Sequence, residues 1–153
     1  MPLSHLEHFL IQPEDIDATA QWWCEMLGMR DGYHPDFKFP VKWLYLGDQD
    51  VVHMTPGGKK ASDNRTRYLG ESANVMQGTG VVDHVAFRAT GLRETMTHLK
   101  AKGAKFMQRR VDDQGLFQLF LFDPNGIKVE LNFAASEAVG IEPELMASAL
   151  SAG

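Results

Sequence analysis

The sequence has little of what several common classes of protein depend on. It contains a single cysteine, Cys24, which excludes an intramolecular disulfide. Lys and Arg number 15 against 20 Asp and Glu, and the net charge of −5 argues against nucleic-acid binding. The apolar runs are too short to cross a bilayer, and the first ten residues lack the pattern of a signal peptide. We therefore expect a cytoplasmic protein that binds neither membranes nor nucleic acids.

The sequence does contain an internal duplication. At 153 residues, 44% hydrophobic and 23% charged, it has the composition of one globular domain, 1–153. The same order of elements is predicted in module one, about 3–56, and in module two, about 79–135. Loop 57–80 joins the modules; it lacks clear periodicity and is predicted to be a disordered linker or a functional lid. The tail, 136–153, has weak helical character around Glu142 to Leu150.

Each module is predicted to fold as βαβββ. A short strand carries an acid–histidine pair, and a helix follows it with apolar residues three and four positions apart, ending at Gly28 or Gly103. The remaining strands are predicted at about 30–34, 41–46 and 50–55 in module one, and at about 104–111, 116–122 and 126–133 in module two. The fold class is therefore α+β.

Four chemically active residues occupy equivalent positions of the two modules. The separation between His8 and His84 along the chain matches that between His53 and Glu130 to within a single position. Independent structural polar residues would have no reason to keep this spacing, so we predict one shared site. By strand alternation, Glu7 and Asp83 are expected to point away from it.

Imidazole and carboxylate groups suit Fe²⁺, Zn²⁺, Ni²⁺, Mn²⁺ or Co²⁺. Two histidines and one carboxylate with open positions form the facial triad of non-haem Fe(II) oxygenases. His53 is then either a fourth ligand or a base beside the metal, and the sequence leaves both roles open.

At this point the chain resembles the vicinal oxygen chelate superfamily, which includes glyoxalase I, extradiol dioxygenases, methylmalonyl-CoA epimerase and bleomycin- and fosfomycin-resistance proteins. The resemblance covers about residues 3–135. It rests on the paired βαβββ modules and on four motifs: Glu7-His8, Asp83-His84, Phe122-Asp123-Pro124-Asn125-Gly126 and Val129-Glu130. It implies an incomplete barrel of eight strands around one divalent ion, with His8, His84 and Glu130 as metal ligands and Glu130 and His53 as catalytic residues.

The resemblance implies a metal-dependent enzyme acting on a small molecule, and we expect a homodimer. His53 is similar to the second-shell histidine of extradiol dioxygenases, so an Fe²⁺ extradiol-like dioxygenase is predicted first. Its substrate would chelate the metal through two adjacent oxygens. Phe120 and Val111 stand where the extradiol signature has Tyr and His, which keeps a glyoxalase- or epimerase-like lyase or isomerase as the alternative. The third hypothesis is a metal-free binding protein of the resistance type.

Five further side chains are candidates for the substrate pocket. Trp43 and Phe120 have the same separation along the chain as His53 and Glu130, so these two aromatics are repeat partners. Tyr45 shares the predicted face of Trp43, Gln118 shares that of Phe120, and Arg88 shares that of His84. The predicted pocket therefore contains Trp43, Tyr45, Arg88, Gln118 and Phe120.

Overall fold

A computed structural model of the chain describes residues 4–70, 77–80, 82–143 and 145–146. The chain divides into two compact units, Met1–Met76 and Gln77–Gly153, which correspond to the two predicted modules. Each unit contains the predicted β-α-β-β-β order of elements, so the predicted α+β class with two βαβββ modules is confirmed. Across the described residues, no helix is long and apolar enough to span a membrane.

The first unit is a four-stranded mixed sheet with one main helix. Its elements are β1 (Phe9–Ile11), α1 (Ile16–Leu27), β2 (Arg30–Gly32), β3 (Lys42–Leu46), β4 (Gln49–Met54) and the short helix α2 (Asp63–Leu69). The strand order is β1-β4-β3-β2, with β1 parallel to β4 and the other pairs antiparallel. Strand β1 begins later than predicted, so His8 lies immediately before it.

The second unit repeats this arrangement with one additional strand. Its elements are β5 (His84–Arg88), α3 (Leu92–Ala101), β6 (Met107–Val111), β7 (Leu116–Phe122), β8 (Lys128–Ala134) and β9 (Leu145–Met146). The strand order is β5-β8-β7-β6-β9, again with the first pair parallel. The predicted turn between β7 and β8 is present, since Asp123 Oδ1 accepts hydrogen bonds from the backbone N–H groups of Asn125 and Ile127.

The helices follow from caps and apolar stripes. Asp15 accepts a hydrogen bond from Ala18 N at the start of α1, and Gly28 closes the helix at φ 71°, a left-handed conformation that glycine adopts without a Cβ clash. Helix α1 buries Ile16, Ala20 and Trp23, whose indole is 0% exposed. Helix α3 buries Leu92, Met96 and Leu99 in the same way. Helix α1 packs against β2 and β3 of the first sheet.

Two sequence predictions need correction. The disordered-linker alternative for loop 57–80 is wrong for its first part, which contains a short 3-10 helix at Gly58–Lys60 as well as α2, whereas 71–76 lie outside the described residues. Helix α2 is capped by Ser62, which accepts a hydrogen bond from Arg65 N, and it is too short for its periodicity to be recognised. In the tail, Leu145–Met146 forms β9 parallel to β6 instead of helix, since an open sheet edge provides backbone partners. Residues 144 and 147–150 of that predicted helix lie outside the described residues.

Candidate functional site

Three aromatic rings of the first unit form a stack around His53. The His8 and His53 rings lie with centroids 3.8 Å apart and planes 16° apart. The Trp43 indole covers the other face of His53 at 4.0 Å and 4°. His53 is only 8% exposed as a result. The predicted proximity of His8, His53 and Trp43 is therefore present within this unit.

This stacking bears on how the two histidines can bind a metal. An imidazole nitrogen binds a metal through a lone pair that lies in the plane of its own ring. The two ring planes are nearly parallel and their centroids are 3.8 Å apart. In this arrangement the in-plane lone pairs of His8 and His53 do not converge on one point.

Asp50, which was not among the predicted site residues, forms a hydrogen bond with the edge of the His53 ring. His53 Nε2–H donates to Asp50 Oδ2 at 2.6 Å, which leaves Nδ1 as the proton-accepting nitrogen. Burial lowers the pKa of His53 and outweighs the hydrogen bond that His53 donates to Asp50, whereas that hydrogen bond lowers the pKa of Asp50. The pair is therefore a neutral imidazole beside a carboxylate.

A β-bulge explains why Asp50 reaches His53. Residues three positions apart point to opposite faces of a regular strand. In β4, however, Val52 pairs with Leu44 while Asp50 pairs with Tyr45, so Val51 is an extra residue. The bulge rotates Asp50 onto the face of His53. No residue pattern in the sequence indicates this irregularity.

In the second unit, His84 and Glu130 form the corresponding pair. His84 Nε2 lies 2.9 Å from Glu130 Oε2. Two ligands that bind one ion at right angles, each about 2.1 Å from it, are about 3 Å apart. The observed spacing therefore fits two ligands of one ion. Glu130 is 7% exposed, and His84 is its ion-pair partner when the imidazole is protonated.

Amide groups fix the orientation of the Glu130 carboxylate. Gln118 Nε2 donates to Glu130 Oε1 at 2.8 Å, and Asn132 Nδ2 donates to the same oxygen at 2.8 Å. Arg109 Nε in turn donates to Gln118 Oε1 at 2.7 Å. These hydrogen bonds occupy Oε1, and Oε2 faces His84. Asn132 and Arg109 were not among the predicted site residues, although Asn132 lies on the same face of β8 as Glu130.

The prediction that Glu7 and Asp83 point away from the site is wrong, because each contacts the histidine that follows it. His8 Nδ1–H donates to Glu7 Oε1 at 3.0 Å, and His84 Nδ1–H donates to Asp83 Oδ1 at 2.7 Å. Both acids precede their strands, so strand alternation does not govern their direction. A carboxylate on one ring nitrogen fixes the tautomer and leaves Nε2 as the metal-binding atom, an arrangement typical of metal-bound histidines.

Strand register shows that the two pairs are structurally equivalent. His53 pairs with Leu10, two residues after His8, and Glu130 pairs with Ala86, two residues after His84. On the other side, His53 pairs with Trp43 and Glu130 pairs with Phe120. The repeat relation inferred from spacing therefore holds at the level of paired strands.

The remaining predicted pocket residues differ in what they contact. Phe120 stands edge-on to His84, with centroids 6.4 Å apart, and Arg109 lies over its ring. Arg88, two residues after Ala86 on β5, is exposed. The Tyr45 hydroxyl donates to the Tyr33 carbonyl at 2.7 Å, so it is already engaged within the protein.

The candidate ligands thus occur as two pairs, one in each unit. Within the ranges that the structure describes, no group of three or more His, Cys, Asp and Glu side chains is placed to hold a metal ion. Both pairs nevertheless contain side chains of types that bind divalent metals. His8 and His84 present Nε2, and Glu130 presents Oε2. Imidazole and carboxylate groups are donors that divalent first-row metals accept.

Comparisons with known proteins give the chain its family. Its fold is similar to that of a lactoylglutathione lyase from Agrobacterium tumefaciens, at 18% identity and TM-score 0.65 over 87% of this chain and 96% of that one. It is also similar to the fosfomycin resistance protein FosX from Listeria monocytogenes, at 15% identity and TM-score 0.62 over 88% and 97%. A third similar structure is an antibiotic-binding protein from a Streptomyces species, at 13% identity and TM-score 0.61 over 88% and 98%. The sequence model of one superfamily matches residues 5–131, most of the chain. The chain belongs to the Glyoxalase/Bleomycin resistance protein/Dioxygenase superfamily.

Proposed function

We propose that the protein is a divalent-metal-dependent enzyme whose ion is held by His8, His84 and Glu130. The support is the donor set, together with the carboxylates that hold Nδ1 of both histidines. Divalent metals are common in this superfamily, and small-molecule ligands are typical of it.

The observation that carries the choice of reaction is the placement of His53. Its ring lies flat on His8, and its Nε2 is committed to Asp50, so we assign it to proton transfer and not to metal binding. The ligand set is then two histidines and one carboxylate, the facial triad of non-haem Fe(II) oxygenases. We therefore favour an extradiol-like dioxygenase with Fe²⁺. Bound there, the ion would supply chelation of two adjacent substrate oxygens and the redox chemistry for reaction with O₂.

The side chains of this proposed site have different roles. Glu7 and Asp83 keep the two histidines in the metal-binding tautomer. Gln118 and Asn132 keep the Glu130 carboxylate from rotating, since both donate to Oε1. His53 Nδ1 would accept a proton from a substrate hydroxyl and later return it, while Asp50 holds the ring in the required tautomer.

A lyase or isomerase is the second candidate, and Phe120 is the observation that favours it. Phe120 pairs with Glu130 and stands beside His84, but it offers no hydroxyl where the extradiol signature has one. A metal acting as a Lewis acid, with Glu130 or His53 moving a proton between neighbouring carbons, would not need that hydroxyl. Residue 111 on β6 is likewise Val, not His.

A panel of substrates and metals separates these candidates. With Fe(II), we expect oxygen uptake that depends on an added diol whose hydroxyls are on adjacent carbons. Ni(II) or Zn(II) protein should not isomerise hemithioacetals. The reverse pattern would establish the lyase or isomerase. Binding of panel compounds without turnover under any metal would contradict both enzyme assignments and favour a resistance-type binding protein.

Two further expectations belong to this proposal. We propose that the protein is a homodimer, and that it acts in the cytoplasm. Sedimentation of the purified chain would measure the first, since a dimer has twice the mass of 17.1 kDa.

A further inference from the structure

Arg65, on helix α2, carries a buried positive charge. Only 4% of its surface is exposed, and a guanidinium keeps its charge in proteins. Within the part of the chain that the structure describes, its side chain has one hydrogen-bond partner, since Nη2 donates to Gln12 Oε1 at 3.1 Å. Its Nε–H is buried without an acceptor among these residues. Arginine is almost never buried this fully unless it is paired, because a charge without a counter-charge is costly to remove from water.

The segment that carries Arg65 is itself positively charged. Residues 57–70, which form the 3-10 helix and α2, include four basic side chains and one acid, Asp63, although the whole chain has a net charge of −5. The basic residues are Lys59, Lys60, Arg65 and Arg67. A local excess of one sign of charge raises the concentration of ions of the opposite sign. The surroundings of Arg65 therefore favour an anion.

The hydrogen bond to Gln12 places Arg65 at the face of the first sheet that carries His53. Strands β1 and β4 are parallel, with Leu10 paired to His53, and their backbone hydrogen bonds continue beyond the end of β1. Gln12 follows Leu10 by two residues, so strand alternation puts both side chains on the His53 face, about 7 Å apart along the strand. Leu10 is 40% exposed, so this face is open next to Gln12.

We propose that Arg65 binds an oxyanion group, a carboxylate or a phosphate, of a small molecule that lies on this face of the first sheet. The guanidinium Nε–H and the neighbouring Nη group form a fork that matches two oxygens of such a group, and Gln12 fixes the orientation of the fork. The bound oxyanion supplies the counter-charge that Arg65 lacks. That the small molecule is the substrate rests on the proposed function, whereas the oxyanion site itself does not.

Thermal unfolding of the full chain in sodium phosphate, sodium acetate or sodium chloride, at the same pH and ionic strength, tests the proposal. We expect phosphate or acetate to raise the Tm above its value in chloride. A ligand at about ten times its Kd raises the Tm of a chain of this size by about 3 to 6 °C. A larger rise in phosphate identifies a phosphate group as the ligand, and a larger rise in acetate identifies a carboxylate.

Variants of two arginines on α2 make the result specific. Arg65→Gln should abolish the rise in Tm. Arg65→Met should abolish it as well, and we expect this variant to fold, because it replaces a buried charge with an apolar side chain. Arg67→Gln is the matched control, since Arg67 is an exposed arginine on the same helix, and it should keep the rise.

The absence of a rise with either oxyanion would overturn the proposal. So would an equal rise in the parent chain and both Arg65 variants, because phosphate and other excluded salts stabilise folded proteins in general. Loss of the rise in Arg67→Gln would assign the effect to the net charge of the segment and would also contradict the role of Arg65. Glu130→Gln separates this proposal from the metal assignment, since it should lower metal content and keep the oxyanion response, so that either proposal can fail alone.

Discussion

Replacing Glu130 with Ala should remove the metal. We expect protein purified without chelator to carry about one divalent ion per chain, and Glu130→Ala to lower its affinity at least about hundred-fold, because even residues that only support a ligand contribute about 10- to 100-fold. Elemental analysis and titration with Fe(II) or Co(II) measure both quantities. Turnover should fall with metal content.

Two controls make this result specific. Glu130→Ala also leaves the Gln118 and Asn132 amides without their carboxylate, which is destabilising in a buried site. Glu130→Gln keeps an amide oxygen and the side-chain volume, so metal loss in that variant reports the carboxylate. Glu14→Ala removes an exposed carboxylate and should leave metal content unchanged. Full metal occupancy in both Glu130 variants would exclude Glu130 as a ligand.

Replacing His53, in contrast, should leave the metal bound and lower the rate of turnover. We expect His53→Gln to retain the metal and to lose about 10²- to 10⁴-fold in kcat, the usual contribution of a positioned acid–base group. The reason is geometric, because the His53 ring is stacked on the His8 ring and the in-plane lone pairs of the two rings do not converge. Metal content and kcat are measured on the same preparation.

Asp50→Asn supplies the matching variant for the proton-transfer role. The amide is isosteric with the carboxylate, but it can present its N–H₂ group to His53 Nε2 and favour the wrong tautomer. The kcat should therefore fall while KM and metal content change little. Metal loss in His53→Gln would instead make His53 a fourth ligand and would favour the lyase or isomerase.

The duplication was predictable because it is repeated in the residue spacing itself. The pair His8 and His84 and the pair His53 and Glu130 keep nearly the same separation along the chain, and strand pairing reproduces the same relation. Hydrophobic periodicity and caps located α1 and α3, since both effects act over a few neighbouring residues. Residues at equivalent positions of the two modules can therefore be identified from the sequence when both modules keep the same spacing.

The supporting residues were not predictable, and each for a physical reason. Asp50 reaches His53 only because a bulge in β4 adds one residue, and bulges have no reliable sequence pattern. Glu7 and Asp83 were assigned by strand alternation, but both precede the first strand of their unit. Arg109 acts on Glu130 through Gln118, a relation that depends on β6 and β7 being paired in the observed register.

The central proposal is that His8, His84 and Glu130 bind the same divalent ion. Titration of the chelator-treated chain with Co(II), followed by its absorption spectrum, tests it most directly. We predict one site per chain, with both His8→Ala and His84→Ala losing the same spectrum and the same affinity, because each histidine contributes to the same coordination sphere. Normal Co(II) binding in either variant, or two independent sites of which each variant removes one, would contradict the claim.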